Sequence, residues 1–283
     1  MIQNLPEKNL YSNSKIIGGR RDKEHIKKSL PGHPLISIIT PVFNARNEIE
    51  KNIEAVQFQS YSNKEHIIID GGSTDGTLEV LQRKNDEVDY WLSEADDGIY
   101  DAMNKGIDAA RGEWIYFLGV DDYFYRHDTL VSVMEGKKIA DDVTLVLGNI
   151  IYPDGKIFRS RLDKTIHLKN TIHHQGAFYR RNIFDKFRYG RAVSSGLKKN
   201  FIISGDYQLN LNLFTGKAKH VYVDEIIARC GRGISMEGRF TGYLEEINIR
   251  HLYMNFFRAV FFDILTLLRY GWKKFDFRNY SKL

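Results

Sequence analysis

The amino-acid sequence predicts an α/β protein with a Rossmann-like, mostly parallel central sheet flanked by helices, followed by a C-terminal amphipathic helix. Apolar strands alternate with helical segments in the first half of the chain, and polar loops follow the strands. Such alternation requires right-handed crossovers, which place parallel strands side by side and cover both faces of the sheet. The chain has 283 residues, of which 42% are hydrophobic, so it can bury one large core.

Hydrophobic periodicity predicts the individual elements. A β-branched run over residues 35–40 predicts the first strand, and residues 47–59 have the spacing of a helix. The same patterns predict strands over 66–69, 88–92, 114–118, 173–181 and 221–228, helices over 77–83, 99–110 and 206–214, and a hairpin over 143–151 and 156–161 around Asp154-Gly155.

The main domain is predicted over residues 34–235. Residues 1–33 show no sustained apolar period and are interpreted as a tail or an early peripheral helix, and residues 236–283 as a helical C-terminal segment. Met1–Leu10 are polar and Cys230 is the single cysteine. We therefore expect no secretory signal and no internal disulfide, which favours the cytoplasm.

The formal net charge is +5, and 27% of the residues are charged. This composition excludes an acidic disordered chain and a membrane-embedded one. The basic residues are scattered and form no aromatic-basic platform, so we expect no nucleic-acid partner.

Polar loops follow the first four predicted strands and meet at one edge of a parallel sheet, outside the carboxyl ends of its strands. Three of them are rich in carboxylates, namely 70–76, 94–98 and the pair Asp121-Asp122. Because like charges repel, a cation or a donor-rich ligand is expected there. Asp121-Asp122 can hold Mg²⁺ or Mn²⁺, although a solvated turn is the alternative. The 70–76 loop has no lysine at the P-loop position, which excludes a Walker A site.

Four motifs occur in order at the ends of the first four predicted strands. They are Thr40-Pro41-Val42-Phe43-Asn44, Asp70-Gly71-Gly72-Ser73-Thr74-Asp75-Gly76-Thr77, Asp97-Gly98-Ile99-Tyr100-Asp101-Ala102-Met103-Asn104-Lys105-Gly106 and Gly119-Val120-Asp121-Asp122. Together they resemble the motifs of family 2 glycosyltransferases over residues 35 to 235. The resemblance implies a GT-A fold, an inverting mechanism, a divalent metal and a nucleotide-diphosphate sugar donor, with a UDP-sugar as the expectation.

The resemblance also implies roles for single residues. Asp121 matches the metal-binding end of the family's Asp-x-Asp motif, and Asp122 its sugar-side neighbour. Gly119 stands where the family has the first Asp of that motif, so the expected Mn²⁺ or Mg²⁺ depends on Asp121. On the donor side, Pro41 and Asn44 match the first nucleotide loop, Asp70 the residue that binds the base with Ser73 beside it, and Asp97, Asp101 and Lys105 the segment that borders the donor.

Asp206 in Ser204-Gly205-Asp206-Tyr207 resembles the family's catalytic base at the start of a helix. A positioned base contributes about 10²–10⁴-fold to the rate. Helix N-capping is the alternative role for this carboxylate. Asp185 and Asp224 are weaker candidates because neither lies in a matching motif.

Two further residues are expected at the substrate. His174, in His173-His174-Gln175-Gly176, resembles a His-Gln motif near donor and acceptor. Neighbours on a strand point to opposite faces, so the two histidines are not expected to share a metal ion. Arg232, in 231–235, lies where the family has a flexible loop over the donor, and it can bond a phosphate, with an ordinary surface arginine as the alternative.

The C-terminal segment has helical spacing from Glu245 to Phe275. Arg258, Asp263 and Arg269 interrupt it, so it predicts a helix lying on a membrane surface rather than crossing one. A helix packed on the main domain or on a second subunit is the alternative. The apolar stripe consists of Phe257, Phe261, Ile264, Leu265, Leu268, Trp272 and Phe275.

Together these observations predict an inverting glycosyltransferase at the inner face of the membrane, with a saccharide or lipid-linked acceptor in surface polysaccharide or glycolipid synthesis. A nucleotidyltransferase is the first alternative, but no Gly-rich, Lys- or Arg-bearing loop follows the first strand. A non-catalytic nucleotide-sugar-binding protein is the second, and Gly119 is the feature in its favour.

Overall fold

The computed structural model describes residues 15–23, 27–136, 139–190, 201, 203–231 and 240–280, with the backbone alone for residues 22, 23 and 273–280. The α-helices in this part of the chain are α1 (Arg46–Gln57), α2 (Thr77–Arg83), α3 (Ile99–Ala109), α4 (Thr129–Met134), α5 (Gly205–Thr215), α6 (Phe240–Tyr253) and α7 (Phe256–Tyr280). The strands are β1 (Ile16–Gly18), β2 (Ile36–Val42), β3 (Lys64–Asp70), β4 (Tyr90–Ser93), β5 (Trp114–Phe117), β6 (Tyr123–Phe124), β7 (Leu145–Ile151), β8 (Ile157–Arg159), β9 (Ala177–Arg180) and β10 (His220–Arg229).

The strands form one sheet in the order β1-β4-β3-β2-β5-β9-β7-β10-β6, and β8 pairs with β7 at the side. The strands β4, β3, β2 and β5 are parallel, as the alternating pattern predicted. β9 is antiparallel to both β5 and β7, and β10 is parallel to β7. The strands β7 and β10 therefore run in the same direction as β2, so their carboxyl ends reach the same edge as the predicted polar loops.

Both faces of the sheet are buried, which explains the near-continuous apolar runs of its central strands. Ile39 of β2 packs with Met103 and Ile107 of α3 on one face. Ile36 and Ile38 pack on the opposite face with a separate cluster that includes the β5 residue Tyr116. This core fixes the strand ends and therefore the loops that follow them.

The N-terminal segment contributes to the sheet. A tail or a peripheral helix was expected, and residues Arg20–Lys23 do form a short 3-10 helix, but Ile16–Gly18 add an antiparallel edge strand beside β4. Arg21 donates to Glu65 at 2.7 Å, and Lys27 lies 2.8 Å from Asp89. A strand of three residues is too short to show a hydrophobic period, so the sequence could not predict it.

Other boundaries also differ from the sequence prediction. The continuous helix predicted from Glu245 to Phe275 is wrong, because α6 ends at Tyr253 and α7 begins at Phe256. Asn255 caps the second helix by accepting a bond from the Arg258 amide at 3.0 Å. The strand predicted over 173–181 begins only at β9, since residues 174–176 form a 3-10 turn. The predicted hairpin is confirmed by the antiparallel pair β7 and β8.

Candidate active site

The polar loops after β2, β3 and β4 are tied together at the carboxyl edge of the sheet. The Asn44 amide donates to Ser73 Oγ at 2.7 Å, and the Thr74 amide donates back to Asn44 Oδ1 at 2.9 Å. Asn44 has a positive φ of 50°, a conformation that asparagine tolerates better than most residues. The Glu94 amide bonds the Asp70 carbonyl at 3.0 Å. Main-chain and side-chain bonds thus hold three predicted loops in one surface.

Asp70 is fully buried. Its carboxylate accepts the Ser73 amide at 3.2 Å, the Ser93 hydroxyl at 2.6 Å and the Ser73 hydroxyl. This carboxylate therefore orders the loop after β3, and its expected contact with a base remains a prediction. The sequence analysis overlooked Phe43, which is 62% exposed beside Asn44 and is the aromatic side chain of that motif.

Pro41 lies at the end of β2, beyond the last pair that β2 forms with β5, Ile39 with Phe117. A proline is tolerated there because no ladder bond is lost.

The segment after β4 contains its own ion pairs. Lys105 Nζ lies 2.9 Å from Glu94 and 3.1 Å from Asp101. Burial opposes the charge of Lys105, but hydrogen bonds to these two carboxylates raise its pKa. Asp97 is exposed, and its amide lies 3.4 Å from Asp101 Oδ2. The lysine charge is thus engaged within the loop, and Asp97 is the carboxylate of this segment that is open to solvent.

Asp122 is 4% exposed and joins three segments of the chain. It accepts the Gly231 amide at 2.8 Å, the Gly119 amide at 3.1 Å and Gln175 Nε2 at 2.5 Å. Burial raises its pKa to about 6. A Cβ at Gly119 would lie 2.4 Å from Asp122 Oδ2. A side chain at Gly119 would therefore require the Asp122 carboxylate to move away from the three donors that hold it.

Asp121 is half-buried and forms no hydrogen bond or ion pair with another residue that the structure describes. The same part of the chain contains no group of three or more His, Cys, Asp or Glu side chains that could hold a metal ion. Mg²⁺ is commonly held by one or two carboxylates together with substrate phosphates and water. Asp121 fits this kind of site, in which the donor diphosphate and water would supply the remaining ligands.

Asp206 lies in the first turn of α5, and the N-cap position is occupied by Ser204, whose side chain makes no capping bond. Asp206 caps from inside the first turn instead, so the capping role stands beside the catalytic one. Its Oδ1 accepts the Tyr207 amide at 2.8 Å. The Tyr100 hydroxyl, from the helix that follows the Asp97 loop, lies 3.4 Å from the same oxygen. A Cβ at Gly205 would lie 2.9 Å from the Tyr100 ring, which explains the glycine. The base candidate is therefore in contact with the donor side of the predicted site.

A directed hydrogen-bond chain ends on the other oxygen of Asp206. The Tyr179 hydroxyl donates to Asn210 Oδ1 at 3.2 Å, and Asn210 Nδ2 donates to Asn170 Oδ1 at 3.0 Å. Asn170 Nδ2 then donates to Asp206 Oδ2 at 2.8 Å. Every bond in this chain points toward the carboxylate, which fixes its orientation. The sequence analysis overlooked Asn170 and Asn210, because their role depends on contacts between distant segments.

Burial raises the pKa of Asp206 to about 6, although its hydrogen bonds oppose the shift. The residue keeps partial solvent exposure. It is therefore ionised at neutral pH and can accept a proton there. The rival candidates lie elsewhere: Asp185 is exposed, and Asp224 accepts bonds from Asn149 and Tyr222.

His174 lies in the 3-10 turn before β9, not in a strand. The argument that His173 and His174 point to opposite faces of a strand therefore does not apply. Burial lowers its pKa to about 4, so the ring is neutral at physiological pH. The adjacent Gln175 bonds Asp122, which places the turn beside the Asp121 loop. Gln175 Oε1 is buried and has no partner among the described residues. Arg232 lies outside the described residues.

The model of the glycosyl transferase family 2 matches residues 37–200 of this chain. The chain belongs to that family. The enzyme is 32% identical over 193 residues to the "PGL/p-HBAD biosynthesis glycosyltransferase" of Mycobacterium bovis, an alignment that covers 65% of this chain and 72% of the relative. It is a glycosyltransferase, as the sequence motifs predicted.

Solved structures confirm the GT-A fold. TarS of S. aureus, residues 1–349 in complex with UDP-GlcNAc, superposes with a TM-score of 0.58 at 16% identity, over 77% of this chain and 66% of that one. The glucosyl-3-phosphoglycerate synthase of Mycobacterium tuberculosis, in complex with Mg²⁺ and UDP, gives a TM-score of 0.52 at 15% identity, over 77% and 79%. At these identities the likeness shows the fold alone.

Proposed function

We propose that the enzyme transfers the sugar of a nucleoside-diphosphate sugar to a hydroxyl with inversion, and that Asp206 is the general base. The observation that carries this proposal is the partly buried, ionisable carboxylate of Asp206, which two 2.8 Å hydrogen bonds orient beside the donor loops. A base with a pKa just below neutral is ionised and still basic enough to accept a proton in the transition state.

In the proposed reaction Asp206 removes the proton of the acceptor hydroxyl as its oxygen attacks the anomeric carbon. A new C–O bond forms on one face of the sugar while the bond to the diphosphate breaks on the other, and the nucleoside diphosphate leaves. Asp121 would hold Mg²⁺ or Mn²⁺, which supplies positive charge to the departing diphosphate. Asp122 and Gln175 keep the Asp121 loop against the His174 turn. The His174 ring, which is neutral at physiological pH, is available there for substrate contact.

The donor is proposed to be a UDP-sugar, bound by the Asn44 and Ser73 loops. Structural neighbours were solved with UDP, UDP-GlcNAc or GDP-Man, which supports a nucleotide-diphosphate donor in general. The exposed ring of Phe43 offers a stacking surface for the base. The acceptor is proposed to be a saccharide or a lipid-linked hydroxyl, in surface polysaccharide or glycolipid synthesis at the inner face of the membrane. The mycobacterial relative's name, which places it in PGL/p-HBAD biosynthesis, supports a biosynthetic role.

The test compares wild-type enzyme with Asp206→Asn, using a panel of UDP-sugars and lipid or saccharide acceptors with UDP release as the readout. We expect Asp206→Asn to lose about 10²–10⁴-fold in transfer rate, the contribution of a positioned base. Asp185→Asn, at an exposed carboxylate away from the site, is the matched control and should keep full activity. Full activity of Asp206→Asn would overturn the assignment, and pyrophosphate release from UTP would indicate a nucleotidyltransferase instead.

A further inference from the structure

An apolar face of α7 is left uncovered by the described chain. Phe257 is 85% exposed and Trp272 is 78% exposed, and between them Phe261, Ile264 and Leu268 are each more than half exposed. These five residues are spaced by four, three, four and four positions, so they lie on one side of the helix. The helix does pack on the main domain, as the alternative expected, since Arg269 bonds the Leu168 carbonyl at 3.1 Å, but these five side chains of the stripe take no part in that packing.

The helix is nevertheless firmly attached through its opposite side. Ala259 and Thr266 are fully buried there. Asp263 binds Arg250 of α6 at 3.0 Å, and Arg269 binds Glu246 of α6 at 2.5 Å. These contacts hold α7 in place, so the exposed stripe is a fixed surface of the folded protein.

The charges around this surface are basic. None of the exposed side chains described on α7 carries a carboxylate, because Asp263 faces Arg250 and His251. Arg258 is exposed on the helix although its guanidinium lies 2.9 Å from His167 Nε2, and Lys169 is exposed beside Leu168, whose carbonyl accepts a bond from Arg269 at 3.1 Å. The sequence after Trp272 adds Lys273, Lys274 and Arg278 against the single acidic residue Asp276.

We propose that this α7 face binds the surface of an anionic membrane, with the aromatic and aliphatic stripe inserted among the lipids and the basic residues at the headgroups. Apolar residues flanked by lysine and arginine are typical of helices that lie in a bilayer interface. No helix in the described part of the chain is long and apolar enough to cross a bilayer. A second copy is disfavoured, because a twofold contact would bring the same basic residues against each other.

The position of the helix relative to the site gives this surface a defined orientation. The first helix of the pair, α6, carries Glu245, which accepts the Ile203 and Ser204 amides at 2.9 and 2.8 Å immediately before α5. Membrane binding through α7 would therefore hold the helix that carries Asp206 in a fixed orientation to the lipid surface. The proposal itself does not depend on the reaction, since membrane binding can be measured without a donor.

The chain contains its own probe for this contact. Of the three tryptophans, Trp91 and Trp114 are 3% and 1% exposed, whereas Trp272 is on the proposed surface. We expect vesicles of phosphatidylglycerol and phosphatidylcholine that carry brominated chains to quench the fluorescence of the full-length protein. The quenching should weaken with salt, since the headgroup attraction is screened. Trp272→Phe should bind the vesicles but show no quenching.

The binding itself is tested by sedimentation with the same vesicles. Phe261→Ser combined with Leu268→Ser should lower the partition coefficient by about tenfold or more, because two exposed apolar side chains no longer enter the interface. Phe58→Ser is the matched control, since Phe58 is 74% exposed on another part of the surface, and it should bind like wild type.

Three results would overturn the proposal: no vesicle binding by the wild type, unchanged binding by the double variant, or equal quenching in Trp272→Phe. Sedimentation equilibrium in the absence of lipid provides a further outcome. A wild-type dimer that becomes monomeric in the double variant would show that a second copy covers this face, and it would also overturn the proposal.

Discussion

The two halves of the site are built in different ways. On the donor side, each predicted residue lies at the end of a strand, in the loop that follows it or on the helix after that loop. The bonds there join neighbouring segments, as Asn44 with Ser73 and Lys105 with Glu94. On the base side, Asp206 is oriented by residues far away in the chain. Asn170 and Tyr100 lie 36 and 106 positions from it.

The carboxylates of the two halves also differ in their partners and in their pKa. The donor half contains carboxylates that are committed to protein donors, Asp70 and Asp122, beside one, Asp121, that has no described partner. The base half contains one carboxylate that is oriented but whose pKa remains raised by burial. The donor half therefore provides a fixed surface for a charged ligand, and the base half provides a group that can take up a proton.

The largest effect on the donor half is expected from Gly119→Asp, which restores the family's Asp-x-Asp pattern. The resemblance alone would suggest better metal binding. The structure predicts the opposite, because the new Cβ would lie 2.4 Å from Asp122 Oδ2 and bring a third carboxylate to the pair. Overpacking of this kind costs typically about 1–3 kcal/mol. We expect a lower free energy of unfolding in urea and weaker UDP binding.

Two alanine variants separate the steric effect from the added charge. Gly119→Ala adds only the Cβ and should lose part of the same stability. Gly271→Ala is the control, since its added Cβ meets nothing within 4 Å. Stability at wild-type level in Gly119→Asp would show that Asp122 does not occupy this space.

Asn170→Ala should act on the base half alone. It removes a 2.8 Å hydrogen bond to the ionised carboxylate, so the pKa of Asp206 should rise further. A bond to a charged group is worth about 1.5–3 kcal/mol, which corresponds to a shift of about one pH unit or more. The acidic limb of the profile of kcat/KM against pH should move up by that amount.

UDP affinity should stay unchanged in Asn170→Ala. Asn47→Ala, at an exposed position of α1, is the control for the pH profile. A uniform loss of activity at every pH, without movement of the limb, would mean that Asn170 has only a structural role.

A smaller effect is expected on stability in Asp206→Asn. The folded-state pKa of about 6 lies above the usual value of 3.8, so the folded protein binds the proton more tightly than the unfolded chain does. Wild-type stability is therefore lost as the pH rises from about 4 through about 6. The variant lacks this pH-dependent loss, although its amide keeps only one of the two acceptor oxygens that bind Tyr207 and Asn170. Between pH 4 and pH 8 its stability relative to wild type should therefore rise by about 1 kcal/mol, less than the full shift implies, because the site is partly solvated.

Thermal unfolding of both proteins between pH 4 and pH 8 measures this difference. The Tm of the variant minus that of wild type should increase through the titration of Asp206 and then stay constant. A difference that does not change with pH would indicate that the ionised form of Asp206 carries no cost in the folded state.

The donor half could be predicted from the sequence because its signals are local. A strand pattern followed by Asp70 or Asp121 places the side chain at the sheet edge without knowledge of distant contacts. The central strands β2 to β5 were predicted for the same reason, within two residues at each end. The proposed role of Asp206 was indicated by its motif, and its contacts were not.

The parts that could not be predicted depend on long-range contacts or on single bonds. The edge strand β1 is defined by its pairing with β4, and the break between α6 and α7 by the cap at Asn255. The series of hydrogen bonds that runs from Tyr179 to Asp206 joins residues of β9, α5 and the segment before the His174 turn. None of these contacts leaves a period or a motif in the sequence.

The measurement that tests the central claim most directly is calorimetric titration of UDP, with and without Mn²⁺, into wild type, Asp121→Asn and Asp206→Asn. We expect Mn²⁺ to strengthen UDP binding to wild type and to Asp206→Asn equally, and to have little effect on Asp121→Asn. This result would separate the donor half from the base half. Loss of UDP binding in Asp206→Asn, or an unchanged Mn²⁺ effect in Asp121→Asn, would contradict the division of roles between these two carboxylates.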